Sequence, residues 1–263
     1  MAFKSSELII NDDGSIFHLN LLPEEIADDI ILVGDPGRVD LIGSFLDETE
    51  VSKQNREFKT ITGRYGNKRV SILSSGIGTD NIDIVINELD ALRNIDLKEK
   101  RIKEELKPLR IIRIGTSGGL QEDIPSGSFL MTSKSVGFDN LLHFYNITRG
   151  EENLEMERKL KSHFGWPEST SFPYVVDASQ SLLDKMENEK FIPGITISAP
   201  GFYGPQGRQL RIPLNDPHLN NKIHDFRFDN LRITNYEMES SAIYALAGSL
   251  GHETLTICAI IAN

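Results

Sequence analysis

The 263-residue chain has one cysteine and one tryptophan, and no apolar run approaches the roughly 18 residues of a membrane-spanning helix. A single cysteine excludes an internal disulfide framework. Cys258 stands inside the apolar run 255–262, where a small core residue is expected rather than a nucleophile. No N-terminal segment resembles a secretory leader, so a cytoplasmic location is expected. Positive charge is also scarce: 28 Lys and Arg against 39 Asp and Glu give a formal net charge of -11. A field of that sign repels nucleic acid and anionic membrane, so neither partner is expected and the arginines must work locally. There is no internal repeat, low-complexity tract or linker, and residues 1–263 read as one domain.

What the chain does have is alternation. Short β-branched or apolar runs at 30–33, 70–73, 109–114, 128–131, 196–199, 231–234 and 254–261 alternate with helix-like segments at 39–46, 81–93, 153–163, 180–186 and 240–250. This pattern predicts an α/β fold, a single-domain three-layer sandwich whose central mixed β-sheet is flanked by helices. Gly251 is the stop signal of the last helix. The Lys- and Glu-dense segment 97–107 is expected to be an exposed helical extension. The sequence stops at Asn263, directly after an apolar strand, and a C-terminal helix is expected to be missing.

Chemistry enters at Ile112-Arg113-Ile114-Gly115-Thr116-Ser117-Gly118-Gly119. A strand running into a small-residue turn lets backbone N–H groups and hydroxyls approach an oxyanion, and Arg113 adds a bidentate charge. A second strand end carries Gly34-Asp35-Pro36-Gly37-Arg38, so two guanidinium groups can converge on one anion. The six histidines show no zinc-ligand spacing and no catalytic dyad.

With these loops, five further segments stand in order: Ile16-Phe17-His18-Leu19, Arg56-Glu57-Phe58, Gly76-Ile77-Gly78, the run Phe202-Tyr203-Gly204-Pro205-Gln206-Gly207-Arg208, and Asn235-Tyr236-Glu237-Met238-Glu239-Ser240. Through them the chain resembles the nucleoside phosphorylases of the uridine phosphorylase type from about Phe17 onward. The resemblance implies the phosphorylase/hydrolase-like fold and a pentosyl transfer from base to phosphate. It assigns phosphate binding to Gly34, Arg38, Arg113 and Thr116, with Arg56 reaching in from a neighbouring subunit. Ribose binding falls to Met238, to Glu239, whose acceptor-only carboxylate can clamp two vicinal hydroxyls, and to His18 of a neighbour at the 5′-hydroxyl. Glu237 is expected to belong to the structural frame.

Base binding falls to Ser117, Phe202, Gln206 and Arg208. A glutamine amide accepts from uracil N3–H and donates to O2 while Arg208 donates toward O4, a pattern that a purine does not reproduce. Arg113, Glu239 and Arg208 are therefore the expected catalytic set, Arg208 also steadying charge on the departing pyrimidine. The partners implied are uridine or a related pyrimidine nucleoside and phosphate, in a homo-oligomer with a dimer as minimum unit and a hexamer as the common bacterial form. No organic cofactor or catalytic metal is expected, since phosphate is a co-substrate and the nucleophile. A structural monovalent cation is the one group the family can add, near Glu57, Ile77 and Asn81.

Purine-cleaving relatives carry an aspartic acid just after the last strand; here Ala262 stands at that position. The resemblance implies an arginine directly after the asparagine matched by Asn263, the point at which the sequence stops. Two alternatives accompany the uridine reading: purine phosphorolysis or nucleoside hydrolysis on the same fold, and a catalytically weak nucleoside-binding paralogue.

Overall fold

The computed structural model describes residues 2–168, 170–187 and 190–262, so Asn263 and the expectation attached to it lie outside the described residues. Chain order begins with β1 (Asp29–Val33), α1 (Pro36–Gly43), β2 (Glu48–Asn55), β3 (Phe58–Tyr65), β4 (Lys68–Ser74) and α2 (Thr79–Asn94). A small hairpin follows, β5 (Ile95–Asp96) and β6 (Arg101–Ile102), then β7 (Arg110–Gly119), β8 (Phe129–Gly137), α3 (Glu151–Phe164), β9 (Tyr174–Asp177) and α4 (Gln180–Met186). The last elements are β10 (Ile192–Ser198), α5 (Leu219–Asp225), β11 (Arg227–Phe228), β12 (Leu231–Glu237), α6 (Ser240–Ser249) and β13 (Glu253–Ala262).

The sheet is mixed, in the order β11-β12-β10-β8-β13-β7-β1-β4-β3-β2, with β9 added to β8. Its buried parallel centre is the apolar set expected from the sequence: β1 pairs in parallel with β4 and β7, and β7 with β13. One half departs from a flat middle layer. β12 pairs in parallel with β10 and also antiparallel with the end of β7, Tyr236 opposite Gly118 and Asn235 opposite Gly119. The strands β7, β13, β8, β10 and β12 thereby close on themselves.

That closure explains a correction. Gly115 to Gly119 is not a turn after the strand; β7 runs through it, because small residues let β12 and β13 approach from both sides. A second correction is segment 97–107. Asp96 accepts hydrogen bonds from the Lys98 and Glu99 N–H groups at 3.0 and 2.9 Å, which turns the chain into the β5–β6 hairpin and replaces the expected helix.

The core lies between the sheet and the pair α2 and α6. Ile82, Val85, Ile86 and Leu89 form one buried stripe of α2, at the helical spacing that faces a partner. α6 is rich in Ala and Ser and buried along most of its length, so its backbone sits close to both the stripe and the sheet. Each fully buried Ile or Leu here contributes roughly 1.5–3 kcal/mol. This packing fixes the start of α6, where the candidate site is built.

Candidate active site

Three chain segments meet at the ends of β1, β7 and β12. β1 hands over to α1 through Asp35, whose carboxylate accepts from the Gly37 and Arg38 N–H groups, with Pro36 in the first helical turn. The cap turns Arg38 back toward the sheet, where its guanidinium donates to the Ile114 carbonyl at 3.2 Å. A Cβ on Gly34 would come within 3.1 Å of that guanidinium, so glycine makes room for it.

β7 supplies Arg113 from its buried face. Its guanidinium lies over Gly115, where a Cβ would be 2.0 Å from Nη1. It donates to the Glu239 carboxylate, both side chains being 5% exposed, and stands 3.4 Å from Glu237. Among the described residues, Arg113 Nε is buried without a hydrogen-bond partner. Burial works to lower the Arg113 pKa, but the charges of Glu239 and then Glu237 outweigh it and hold the guanidinium charged. Arg38 is shifted the other way, by burial and then by repulsion from Arg113.

The two glutamates divide the labour at the head of α6. Glu237, the last residue of β12, accepts from the Glu239 and Ser240 N–H groups at 3.0 Å and from the Ser198 hydroxyl. It thus satisfies the orphan donors of the helix. Glu239 holds the N-cap position but makes no capping bond with its side chain; instead it faces Arg113 and accepts from the Gly78 N–H at 2.8 Å. Gly78, with φ +96°, can offer that N–H because it lacks a Cβ. Burial raises the Glu239 pKa above the ordinary carboxylate value, with Arg113 pulling it down and Glu237 adding to the rise. Neither the Gly78 N–H nor the Glu237 contact with Arg113 carries a local signal in the sequence, because in each case the partner comes from a distant segment.

The base-reading candidates cluster beside this pair. Arg208 donates to the Gln206 side-chain carbonyl and to the Phe202 backbone carbonyl at 2.7 Å, and its guanidinium lies 4.1 Å from the centre of the Phe202 ring. A Cβ on Gly118 would touch Arg208 at 3.4 Å, so the guanidinium extends over β7. Ser117 accepts from the Asn235 amide at 3.1 Å, tying β7 to β12 at the same level. Met238 is half-buried between the two glutamates. Ala262 pairs with Gly118 after an irregularity in β13, so the last described residue of that strand brings a methyl group and no carboxylate.

The remaining candidates lie elsewhere. Thr116 is exposed on β7, and the pleat puts its side chain on the face opposite Arg113, Gly115 and Ser117. Arg56 is exposed at the β2–β3 turn with φ +53°. Among the described residues, neither Arg56 nor His18 bonds to Arg38, Arg113 or Glu239. The two share a corner, because Asn55 donates to the His18 carbonyl at 2.9 Å. His18 Nδ1 is 2.6 Å from Glu88, which also accepts from the backbone N–H groups of His18 and Leu19. This corner borders a groove of about 650 Å³ lined by Leu8, Ile9, Phe17, Ile84, Tyr145 and Leu250 among others, separate from the arginine–glutamate cluster. Glu57 and Asn81 flank Gly76, but Asn81 turns its amide N–H toward the Ile77 carbonyl at 3.5 Å, the oxygen a cation would need. No helix among the described residues is long and apolar enough to cross a membrane.

Residues 28–263 match the model of the phosphorylase superfamily. The chain is 28% identical to the uridine phosphorylase of Thermococcus kodakarensis over 99% of its own length and 82% of that protein's. It is 26% identical to the DeoD-type purine nucleoside phosphorylase of Streptococcus suis, over 92% and 84%. A solved Trypanosoma brucei nucleoside phosphorylase, described as showing uridine phosphorylase activity, superposes with a TM-score of 0.88 at 29% identity, covering 96% of this chain and 89% of that one.

Proposed function

The chain belongs to the phosphorylase superfamily, and from that premise we propose that it is a uridine phosphorylase, converting uridine and phosphate reversibly to uracil and ribose 1-phosphate. The observation that carries the reading is the position of Arg113. It bonds to Glu239, Arg38 reaches the carbonyl of the next residue, Ile114, and Arg208 lies against Gly118 of the same strand beside Gln206. This arrangement supports a phosphate site on the arginines next to a diol acceptor on Glu239.

In the forward direction Arg38 and Arg113 hold phosphate so that one oxygen faces the anomeric carbon, and the Arg113 Nε without a partner is one donor still unsatisfied. Glu239 accepts from the 2′- and 3′-hydroxyls and places negative charge beside the sugar as it gains oxocarbenium character. The phosphate oxygen forms the new C1′–O bond while the C1′–N1 bond breaks with its electron pair going to the pyrimidine. Arg208 and Gln206 meet the charge that develops on the uracil oxygens, and a proton from solvent completes the free base. Gly34 contributes room for Arg38, Ser117 and Phe202 bound the base, and Met238 packs beneath the sugar. Thr116 would meet phosphate only through its backbone or from the opposite face of β7. We assign His18 and Arg56 to the site of a neighbouring subunit in a homo-oligomer, since both project from a corner away from Arg113 and Glu239. The single domain needs no further cofactor for this chemistry.

The test is ultraviolet-monitored cleavage of uridine and of inosine, each with and without phosphate. Phosphate-dependent loss of uridine alone is expected. Cleavage of inosine, a purine nucleoside, would overturn the base assignment in favour of the activity for which the Streptococcus suis relative is named. Phosphate-independent cleavage would make the protein a hydrolase, and phosphate-dependent uridine binding without cleavage would make it a binding paralogue.

A further inference from the structure

Arg208 and Gln206 can read a base edge only if the loop that carries them is held still. The loop itself is poorly anchored: its short helical turn spans three residues, Gly204–Gln206, and it then runs out to Leu210 and Ile212, which are largely exposed. Its own backbone bonds are local, from the Gln206 and Arg208 N–H groups to the Tyr203 carbonyl. A second element supplies what the loop lacks.

Asn220, in the first turn of α5, donates from Nδ2 to the Gln206 backbone carbonyl at 3.3 Å. Its Oδ1 accepts from the Tyr236 hydroxyl at 3.0 Å, and Tyr236 is buried in β12 beside the two site glutamates. The Asn220 amide lies flat against the loop: a Cβ on Gly207 would sit 2.3 Å from Nδ2, 2.6 Å from Cγ and 2.7 Å from Oδ1. Gly207 also has φ +73°, so both the conformation and the close approach require glycine there. The chain of contacts returns to its start. Tyr236 pairs across the sheet with Gly118, and Gly118 is the residue over which the Arg208 guanidinium lies. Arg208 is near enough to Tyr236 for its charge to oppose the rise that burial gives the phenol pKa.

We propose that Asn220 is a positioning residue for base recognition: it clamps the Gln206–Gly207–Arg208 loop to Tyr236, and so sets the distance between the base-reading pair and the sugar- and phosphate-binding end of β7 and β12. Both faces of its amide are used, one donor and one acceptor, so no aliphatic residue of the same size can replace it and an acid can keep only half of the clamp. The proposal rests on the uridine reading above. Its consequence is specific, because the clamp touches the loop backbone and neither Arg38, Arg113 nor Glu239.

The experiment compares wild type, Asn220→Ala, Asn220→Asp and Tyr236→Phe with three readouts: kcat and KM for uridine, KM for phosphate, and the ratio of kcat/KM for uridine to that for 3-methyluridine. The methyl analogue lacks the N3–H that Gln206 would accept, and a ratio taken on one preparation is independent of the fraction of folded enzyme. Asn220→Ala is expected to raise the uridine KM and to reduce the ratio by roughly 10- to 100-fold, the cost of a misplacement of about 1 Å, with phosphate KM unchanged. Asn220→Asp keeps the acceptor for Tyr236 and falls between. Tyr236→Phe removes one hydroxyl only, keeps the test decisive if an asparagine variant fails to fold, and moves the ratio in the same direction. An unchanged ratio in these variants, or an equal loss in uridine and phosphate KM, overturns the clamp. Failure of wild type itself to discriminate or to cleave uridine overturns instead the functional reading on which the clamp depends, so the two failures are told apart.

Discussion

The Arg113 guanidinium donates directly to the Glu239 carboxylate in a pocket where each side chain is 5% exposed. One residue belongs to β7 and the other to the head of α6, 126 positions apart, so the contact exists only when the sheet has closed. Breaking a buried pair by removing one partner costs about 3–5 kcal/mol, and in the proposed reaction it also removes the diol acceptor. Glu239→Ala should therefore lower both stability and uridine turnover, the latter by about 10²-fold or more; turnover at the wild-type level in steady-state assays would sink the assignment.

Glu239 also sets a pH signature. Burial raises its pKa above that of a free glutamate despite the opposing charge of Arg113. For a carboxyl with a raised folded-state pKa, the folded protein holds the proton more tightly than the unfolded chain. That contribution is complete below the unfolded pKa and is lost as pH rises through the folded one. If, as proposed, the ionised form binds the sugar, the acid limb of kcat/KM should fall above the ordinary glutamate range. Glu239→Gln cannot ionise, so its stability deficit relative to wild type should narrow as pH rises through that window; denaturant titrations that give a constant deficit would contradict the shift.

Gly115 tests the arginine from below. A methyl group there would meet Arg113 Nη1 at 2.0 Å, and Arg113 is too enclosed to step aside. Gly115→Ala should raise the phosphate KM by about 10²-fold and cost roughly 1–3 kcal/mol by overpacking, with uridine KM less affected. Phosphate titrations that match wild type would remove Arg113 from the phosphate site.

At the other end of the site the balance is reversed. Arg208 touches Phe202 and Gln206 and extends over Gly118, but makes no contact with Arg38 or Arg113. Arg208→Ala should raise the uridine KM by about 10²-fold and leave phosphate KM near wild type. An equal loss in both would mean that the side chain acts on the fold of the loop and does not read the base.

These contrasts also show what a sequence can and cannot reveal. The central strands were legible because local pattern decides them, as apolar runs buried on both faces; Arg113 stood out through a strand end rich in small residues, whereas Glu239, an acid at the start of a helix, stood out only through the motif shared with the family. The strands Glu48–Asn55 and Phe58–Tyr65 were not, since the first is a polar, largely exposed edge strand and periodicity there carries no burial signal. Segment 97–107 read as a helix because its charge pattern is helical, and one Asp96 turn overrode it. Asn220 gave no signal at all. Its meaning lies in two partners, 14 and 16 positions away, and only the fold brings them to one amide.

The only cysteine offers an internal reporter. Cys258 is fully buried, 3.6 Å from Arg113, and burial pushes its thiol pKa up to about 12 even though Arg113 draws it down. At neutral pH it should be a protonated, enclosed thiol with almost no nucleophilic thiolate. A thiol reagent should leave native protein unmodified and label one site per chain in denaturant, and phosphate should slow labelling under partly denaturing conditions by stabilising the folded form. Rapid labelling of the native protein would show that the floor beneath Arg113 opens.

The corner holding His18 and Arg56 carries the last prediction. Glu88 fixes His18 through its ring and through two backbone N–H groups, and Asn55 links that segment to the turn that presents Arg56. So elaborate a mount, away from Arg113 and Glu239 and beside an apolar groove, is explained if the two side chains complete the site of a second copy. Glu239→Ala would then be defective in the body of the site, and the double variant His18→Ala, Arg56→Ala defective in what it lends. Each should be weakly active alone. Co-refolded in equal amounts, half of the dimers are mixed, and every mixed dimer has one doubly impaired site and one intact site, so about a quarter of wild-type activity should return. If the mixture shows only the average of its two components, His18 and Arg56 do not act across a subunit boundary.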